Sequence, residues 1–255
     1  MRLDVSSVLL QWTTGGLAFL WVTTRHRVVG LGYGWLLRGV FSAIALAAVV
    51  AGWAADESGA AASVRIGAAA GVAIAALGVI VVSLRYRHRP RALSPALDLI
   101  APAIGFVGIL ATASVVGGED PLGLLRLTSG MLLIGAVTDA MLLGHWYLVQ
   151  PGLTRDPIGE IVRWCMLVWP LSFVAWSIPD GGFQVVTGSI DDGWGGLLGW
   201  TWLVCAGTTL GLVIATSFAL RERAYAAVMA ATGLLYLAIL TAFGMDLVPW
   251  AVLAP

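Results

Sequence analysis

Five residues of one apolar run carry the types and spacing that could do chemistry in this chain: Thr138, Asp139, His145, Trp146 and Tyr147. Asp139 is the carboxylate that the hydropathy pattern sets well inside a spanning segment, and His145 the histidine it sets within one. An ionised Asp at the centre of a membrane helix costs about 2.5–3.5 kcal/mol on the insertion scale, so its presence marks a candidate site. Met131, Thr138 and His145 recur every seven residues and share one helix face, and Asp139 and Trp146 repeat that spacing beside it. The result is a polar seam down an apolar helix. With that helix read over 123–149, Asp139 lies about 15 Å and His145 about 6 Å from its later end. Six residues turn the two side chains about 120° apart. A water or a ligand, rather than a direct hydrogen bond, would have to join them.

Two kinds of chemistry use such a seam. A quinone site needs hydrogen-bond partners for two carbonyls, aromatic walls and a route for protons, and His145, Trp146, Tyr147 and Asp139 supply those types near one membrane face. A proton or cation site in a transporter needs a carboxylate at depth, for which Asp139 qualifies, with Pro102 and Pro170 kinking nearby helices to make room. Structural roles compete with both. A His beside Trp and Tyr at a helix end fits an interfacial belt, and a buried Asp can hold a neighbouring helix by hydrogen bonding. A membrane enzyme acting on lipid through His145 and Glu160 is the weakest alternative, for lack of paired carboxylates or metal-ligand spacing.

The rest of the chain narrows the chemistry further. There is no lysine, which excludes a retinal Schiff base and a lysine nucleophile. Cys165 and Cys205 have no CxxC partner, which excludes covalent c-type haem and a cysteine-ligated iron–sulfur cluster; both read as inert buried thiols. Haem b is disfavoured because a bis-histidine site needs two facing histidines and only His145 has the depth, although a His–Met pair stays arithmetically open with six Met. No HExxH, GxSxG, phosphate-binding loop or dinucleotide fingerprint is present. A formal net charge of zero argues against nucleic acid as a partner.

The elements that must hold the seam are membrane helices. The 255 residues are 59% hydrophobic and 11% charged, with a mean hydropathy of +0.92, against roughly 25% charged in a soluble domain. Eight apolar runs, near 7–24, 34–55, 63–84, 96–117, 123–149, 158–178, 195–219 and 224–245, are long enough to span a bilayer. The fold expected is an all-α polytopic helix bundle forming one transmembrane domain over 1–255. The first run lacks the marks of a cleaved leader. Arginines gather in the turns after the first, third, fifth and seventh runs: Arg25, Arg27, Arg38, Arg85, Arg87, Arg89, Arg91, Arg155, Arg163, Arg221 and Arg223, against Arg2, Arg65 and Arg126 on the other side. The positive-inside rule makes the first side cytoplasmic and sets both termini outside. The acids Asp4, Asp56, Glu57, Glu119, Asp120, Asp180, Asp191, Asp192 and Asp246 fall on the outer side.

Ser94-Pro95, Asp120-Pro121 and Asp156-Pro157 place a capping side chain before a helix-starting proline, with Asp98 and Glu160 four residues after two of the caps. Gly67 and Gly71, Gly207 and Gly211, and Ala136, Ala140 and Gly144 form small-residue stripes for close helix approach, within the bundle or between copies of it. The connection from Pro179 to Trp194 reads as a solvated outer loop and as the docking surface for an outer partner. The general shape is similar to the membrane anchors of quinone-linked respiratory complexes. The function expected is an integral subunit of an energy-transducing complex in a bacterial cytoplasmic membrane, in contact with lipid and other membrane subunits and quinone-interacting through the seam. The alternative is a small-molecule or ion transporter coupled through Asp139.

Overall fold

The computed structural model describes residues 4–55, 59–89, 93–116, 121–178 and 182–253. Arg2, Asp56, Glu57, Arg91, Glu119, Asp120, Pro179, Asp180 and Gly181, assigned above to helix ends and turns, lie outside the described residues. The chain is an all-α, multi-pass membrane bundle. Its helices are α1 (Val5–Thr24), α2 (Leu31–Ala54), α3 (Ala60–Arg85), α4 (Ile100–Val116), which follows a 3-10 turn over Pro95–Leu99, α5 (Pro121–Trp146), α6 (Asp156–Ser177), the short α7 (Gly182–Val186), α8 (Leu197–Ala219) and α9 (Tyr225–Leu253). Among the described residues eight helices are long and apolar enough to cross a bilayer.

The helices form two rings of four. In the first, α1 packs on α2, α2 on α3 and α3 on α4, and α4 closes back on α1; in the second, α5, α6, α8 and α9 close in the same way. The rings join chiefly where α1 lies along α5. Three spans lie between the two helices, so they run in the same direction, and their contacts climb in step: Gln11 meets Leu127, and Gly15 meets Met131 and Gly135. At the crossing a Cβ on Gly15 would lie 1.9 Å from the Met131 carbonyl oxygen, and one on Gly135 would lie 2.3 Å from the Gly15 carbonyl carbon. Only glycine permits this approach, which brings two backbones into van der Waals contact where lipid offers no hydrophobic drive. It makes α5 the most enclosed span of the bundle.

Several local expectations are redrawn. Gly144 meets Thr232 of α9, and Ala136 and Ala140 are fully buried, as a packing stripe requires. In the Gly67 and Gly71 pair only Gly71 is closely packed, with Ile104 of α4 lying 2.9 Å from an added Cβ; among the described residues Gly207 and Gly211 have nothing within 4 Å, so their stripe is not a seam within this bundle. Ser94 caps its 3-10 turn by accepting from the Ala96 amide (3.3 Å). Asp156 instead opens α6 with no side-chain capping bond at Arg155, and Glu160 turns away to pair with Arg25. Pro102 lies in the first turn of α4, where its missing amide leaves no helix bond unmade. Pro170 lies inside α6 and Pro249 inside α9.

The two described arginines at the arginine-poor end are both tied to the fold. Arg65 pairs with Asp4 at 3.0 Å. Arg126 donates to the Ala175 carbonyl at the end of α6 (3.1 Å) and lies over the Trp176 ring (4.7 Å). The connection between α6 and α8 is folded against the bundle: Phe183 meets Phe173 and Trp202 edge-on, at 6.0 and 5.6 Å between centroids. Asp192 gathers the amides of Trp194, Gly196 and Leu198 at 2.8–2.9 Å. Those amides hold its carboxyl below the usual carboxylate value.

Candidate functional site

α5 carries Asp139 seven residues before its last residue, Trp146, or about 10 Å from the arginine-rich end. The helix ends three residues earlier than expected, so His145 lies in its final turn, where the ring is exposed. Asp139 itself is fully buried, facing α1 and α2. The Tyr33 hydroxyl of α2 donates to its Oδ1 at 2.8 Å. Thr23 of α1 also abuts the carboxyl, but its hydroxyl is turned to the Leu20 carbonyl (2.9 Å). Oδ2 therefore has no hydrogen-bond partner.

The structure brings together some of the expected site residues and separates others. Trp146 packs its ring 5.7 Å from that of Tyr33, so it supports the donor of Asp139 rather than touching the carboxyl. Its indole NH is held by Gln150 Oε1 (3.0 Å), which also accepts from the Gly30 amide (3.0 Å). Thr138 accepts from the Trp12 indole of α1 at 2.9 Å and donates to its own helix at Ile134. Tyr147 is buried and donates to the Thr154 carbonyl; burial pushes its phenol well above the usual value. His145 joins none of these groups. Among the described residues no three His, Cys, Asp or Glu side chains converge as metal ligands.

A second buried carboxylate corrects the sequence assignment. Asp246 belongs to no outer turn: α9 runs through it and through Pro249, and the residue is fully buried, seven residues before Leu253. It thus lies about 10 Å from the arginine-poor end. Gln11 of α1 donates through Nε2 to Asp246 Oδ2 and to the Leu127 carbonyl of α5, both at 3.1 Å. The Trp176 indole also faces the carboxyl, yet no hydrogen bond reaches Oδ1. A Cβ at position 130 would lie 1.9 Å from that oxygen, so Gly130 makes the space in which Asp246 sits. The sequence held one signal for this site, since Gln11 is the amide side chain of the first apolar run.

The two sites share one design. Each carboxyl is fully buried between the rings of four, receives a single neutral donor, keeps one oxygen bare, and has no ion pair among the described residues. They lie nine residues apart along α5, counted from Gly130 to Asp139, or about 13 Å. No family model, curated protein or solved structure matches the chain. A buried carboxylate anion with no cation carries a desolvation penalty of several kcal/mol, which the neutral acid avoids while gaining a donor for the bare oxygen. The arrangement suits groups that bind and release a proton.

A third buried carboxylate behaves differently. Asp98 accepts from Arg38 through Nε and Nη2, each at 2.8 Å, and from the Thr24 hydroxyl at 3.0 Å. This fork-to-fork pair satisfies both oxygens. Its signal was faint in the sequence: Arg38 lies seven residues into α2 rather than at the helix end, and its partner comes from another span.

Proposed function

We propose that this protein is a proton-handling transporter of a bacterial cytoplasmic membrane, with Asp139 and Asp246 as its proton-exchanging groups. One observation carries the proposal: two fully buried carboxyls with no cation among the described residues, each about a quarter of its helix in from opposite ends, both on the junction between two rings of helices. In other transporters coupling groups lie between two structural halves that move against each other. Here α1 and α5 form that junction, and every donor to the two carboxyls comes from the opposite ring. Packing alone gives less reason for a carboxylate, because an amide would serve a hydrogen-bonded contact without the desolvation cost.

The test is proton flux in liposomes containing the purified chain and a trapped pH indicator, driven by an imposed potential or pH gradient. The protein is expected to conduct or exchange protons, and Asp139→Asn is expected to lower the rate at least tenfold while thermal stability stays nearly constant. Flux that survives both Asp139→Asn and Asp246→Asn unchanged would overturn the proposal.

A second reading, a quinone-linked subunit of an energy-transducing complex, is favoured by the line of Trp146, Tyr33 and Asp139, in which an aromatic wall stands beside a hydroxyl and a carboxyl. Gentle purification that retains partner subunits and bound quinone would support it. A monodisperse lone chain free of quinone would count against it.

A further inference from the structure

At the arginine-rich end a cavity of about 490 Å³ opens between the α1–α2 turn, the start of α2, Val79 of α3 and the segment over 93–98. It backs directly on the Asp139 site. Thr24 lines the cavity while its neighbour Thr23 abuts Asp139, and Gly34 lines the cavity while its neighbour Tyr33 donates to Asp139. Adjacent residues of a helix point about 100° apart, so the ends of α1 and α2 form a wall one residue thick between the two.

The walls are of two kinds. Leu31, Val79 and Leu97 give an apolar side. The polar side holds Arg38, only 6% exposed, and the turn arginine Arg27. Arg38 spends Nε and Nη2 on Asp98, and among the described residues its Nη1 meets no acceptor. That nitrogen lies over Gly34, where a Cβ would come within 2.7 Å of it. Glycine at 34 therefore keeps room for a guanidinium edge in the cavity wall. Arg27, in a left-handed conformation (φ 57°), is anchored to the same wall through the Leu93 carbonyl at 2.8 Å. α2 also begins here, behind Gly30, with no capping side chain, so its positive end adds to the field. Among the described lining residues the one acid, Asp98, is already paired with Arg38 and accepts from Thr24.

We infer that this cavity binds an anionic amphiphile: a phosphate or carboxylate head at the Arg38 Nη1 edge, with an alkyl tail along Leu31, Val79 and Leu97. The inference stands independently of proton exchange at Asp139. A free anion would use the head site but leave the apolar wall wet, and a neutral alkyl compound would leave the guanidinium edge unpaired.

The experiment is calorimetric titration of the full chain in neutral detergent with dodecyl phosphate, with inorganic phosphate as the comparison. Dodecyl phosphate is expected to bind at least tenfold more tightly than inorganic phosphate. The double substitution Arg38→Gln with Asp98→Asn, which removes the charge pair without stranding either member, is expected to weaken binding at least tenfold. Val79→Phe, which keeps the pair and fills the apolar side, is expected to remove the advantage of the tail; gel filtration checks that both variants fold. Phosphatidylglycerol retained by the native chain and lost from both variants in native mass spectra identifies a lipid headgroup as the source. Binding of dodecyl phosphate without lipid retention identifies a soluble amphiphile. Equal affinity for inorganic phosphate, no binding by the native chain, or unchanged binding in both variants overturns the inference.

Discussion

Asp98 and Asp139 are both buried near the arginine-rich end of the same bundle, yet they are held by opposite means. Asp98 faces a guanidinium that satisfies both its oxygens; Asp139 faces a phenol and keeps one oxygen bare. Asp246 repeats the Asp139 arrangement at the far end with Gln11 in place of Tyr33. The difference separates structure from chemistry among groups that look alike in the sequence. A carboxylate locked in an ion pair has little reason to change its charge. One offered only neutral donors can gain or lose a proton, and each change alters the hydrogen bonding across the junction of the two rings.

The largest effect should come from breaking the ion pair. Arg38→Ala leaves Asp98 buried without its cation and is expected to cost about 3–5 kcal/mol, read as a large fall in thermal stability or in folded yield. Asp139→Asn removes no ion pair and should scarcely move the same measurement. If the two substitutions destabilise equally, the contrast between the sites fails. A middle-sized effect is expected from the neutral donors. Tyr33→Phe and Gln11→Leu each remove one hydrogen bond to a buried carboxyl and should cost about 1–3 kcal/mol apiece, with proton flux altered in both. A stability loss in only one of them would show that the two sites are not equivalent.

The smallest effect concerns a carboxylate held by neither cation nor neutral side chain. Asp192 accepts three backbone amides in the connection before α8, and its folded pKa is depressed below the ordinary 3.8. Its contribution is therefore complete above the unfolded value and is lost as pH falls through the folded one. Amide hydrogen exchange at Trp194, Gly196 and Leu198 should accelerate only in that acid range. In Asp192→Ala it should be fast at all pH, with the membrane core unaffected.

The spans and Asp139 could be read from the residues because hydropathy accumulates over neighbours, and a charged group in a long apolar run is conspicuous. Asp246 escaped because Asp246 and Pro249 together look like the end of a helix, although Leu247, Val248 and Trp250 continue the apolar pattern past the acid. Inside a membrane bundle a proline can stay within a helix, and α9 continues through Pro249 to Leu253. The Gly207–Gly211 stripe meets no helix of its own bundle, since spacing shows that a backbone can approach and not which helix does.

The sequence by itself determined the membrane class, the eight spans, the arginine asymmetry and the presence of an acid at depth. All of these follow from local composition, because transfer into lipid is summed residue by residue along each segment. The tertiary structure alone decided which acids have a cation and which do not. The partners come from distant spans: Arg38 lies 60 residues from Asp98, Tyr33 lies 106 from Asp139 and Gln11 lies 235 from Asp246. Whether a buried carboxyl is a structural tie or a proton site depends on what stands within 3 Å of it, and that is set by how the two rings close and how nearly α1 and α5 touch at Gly15 and Gly135.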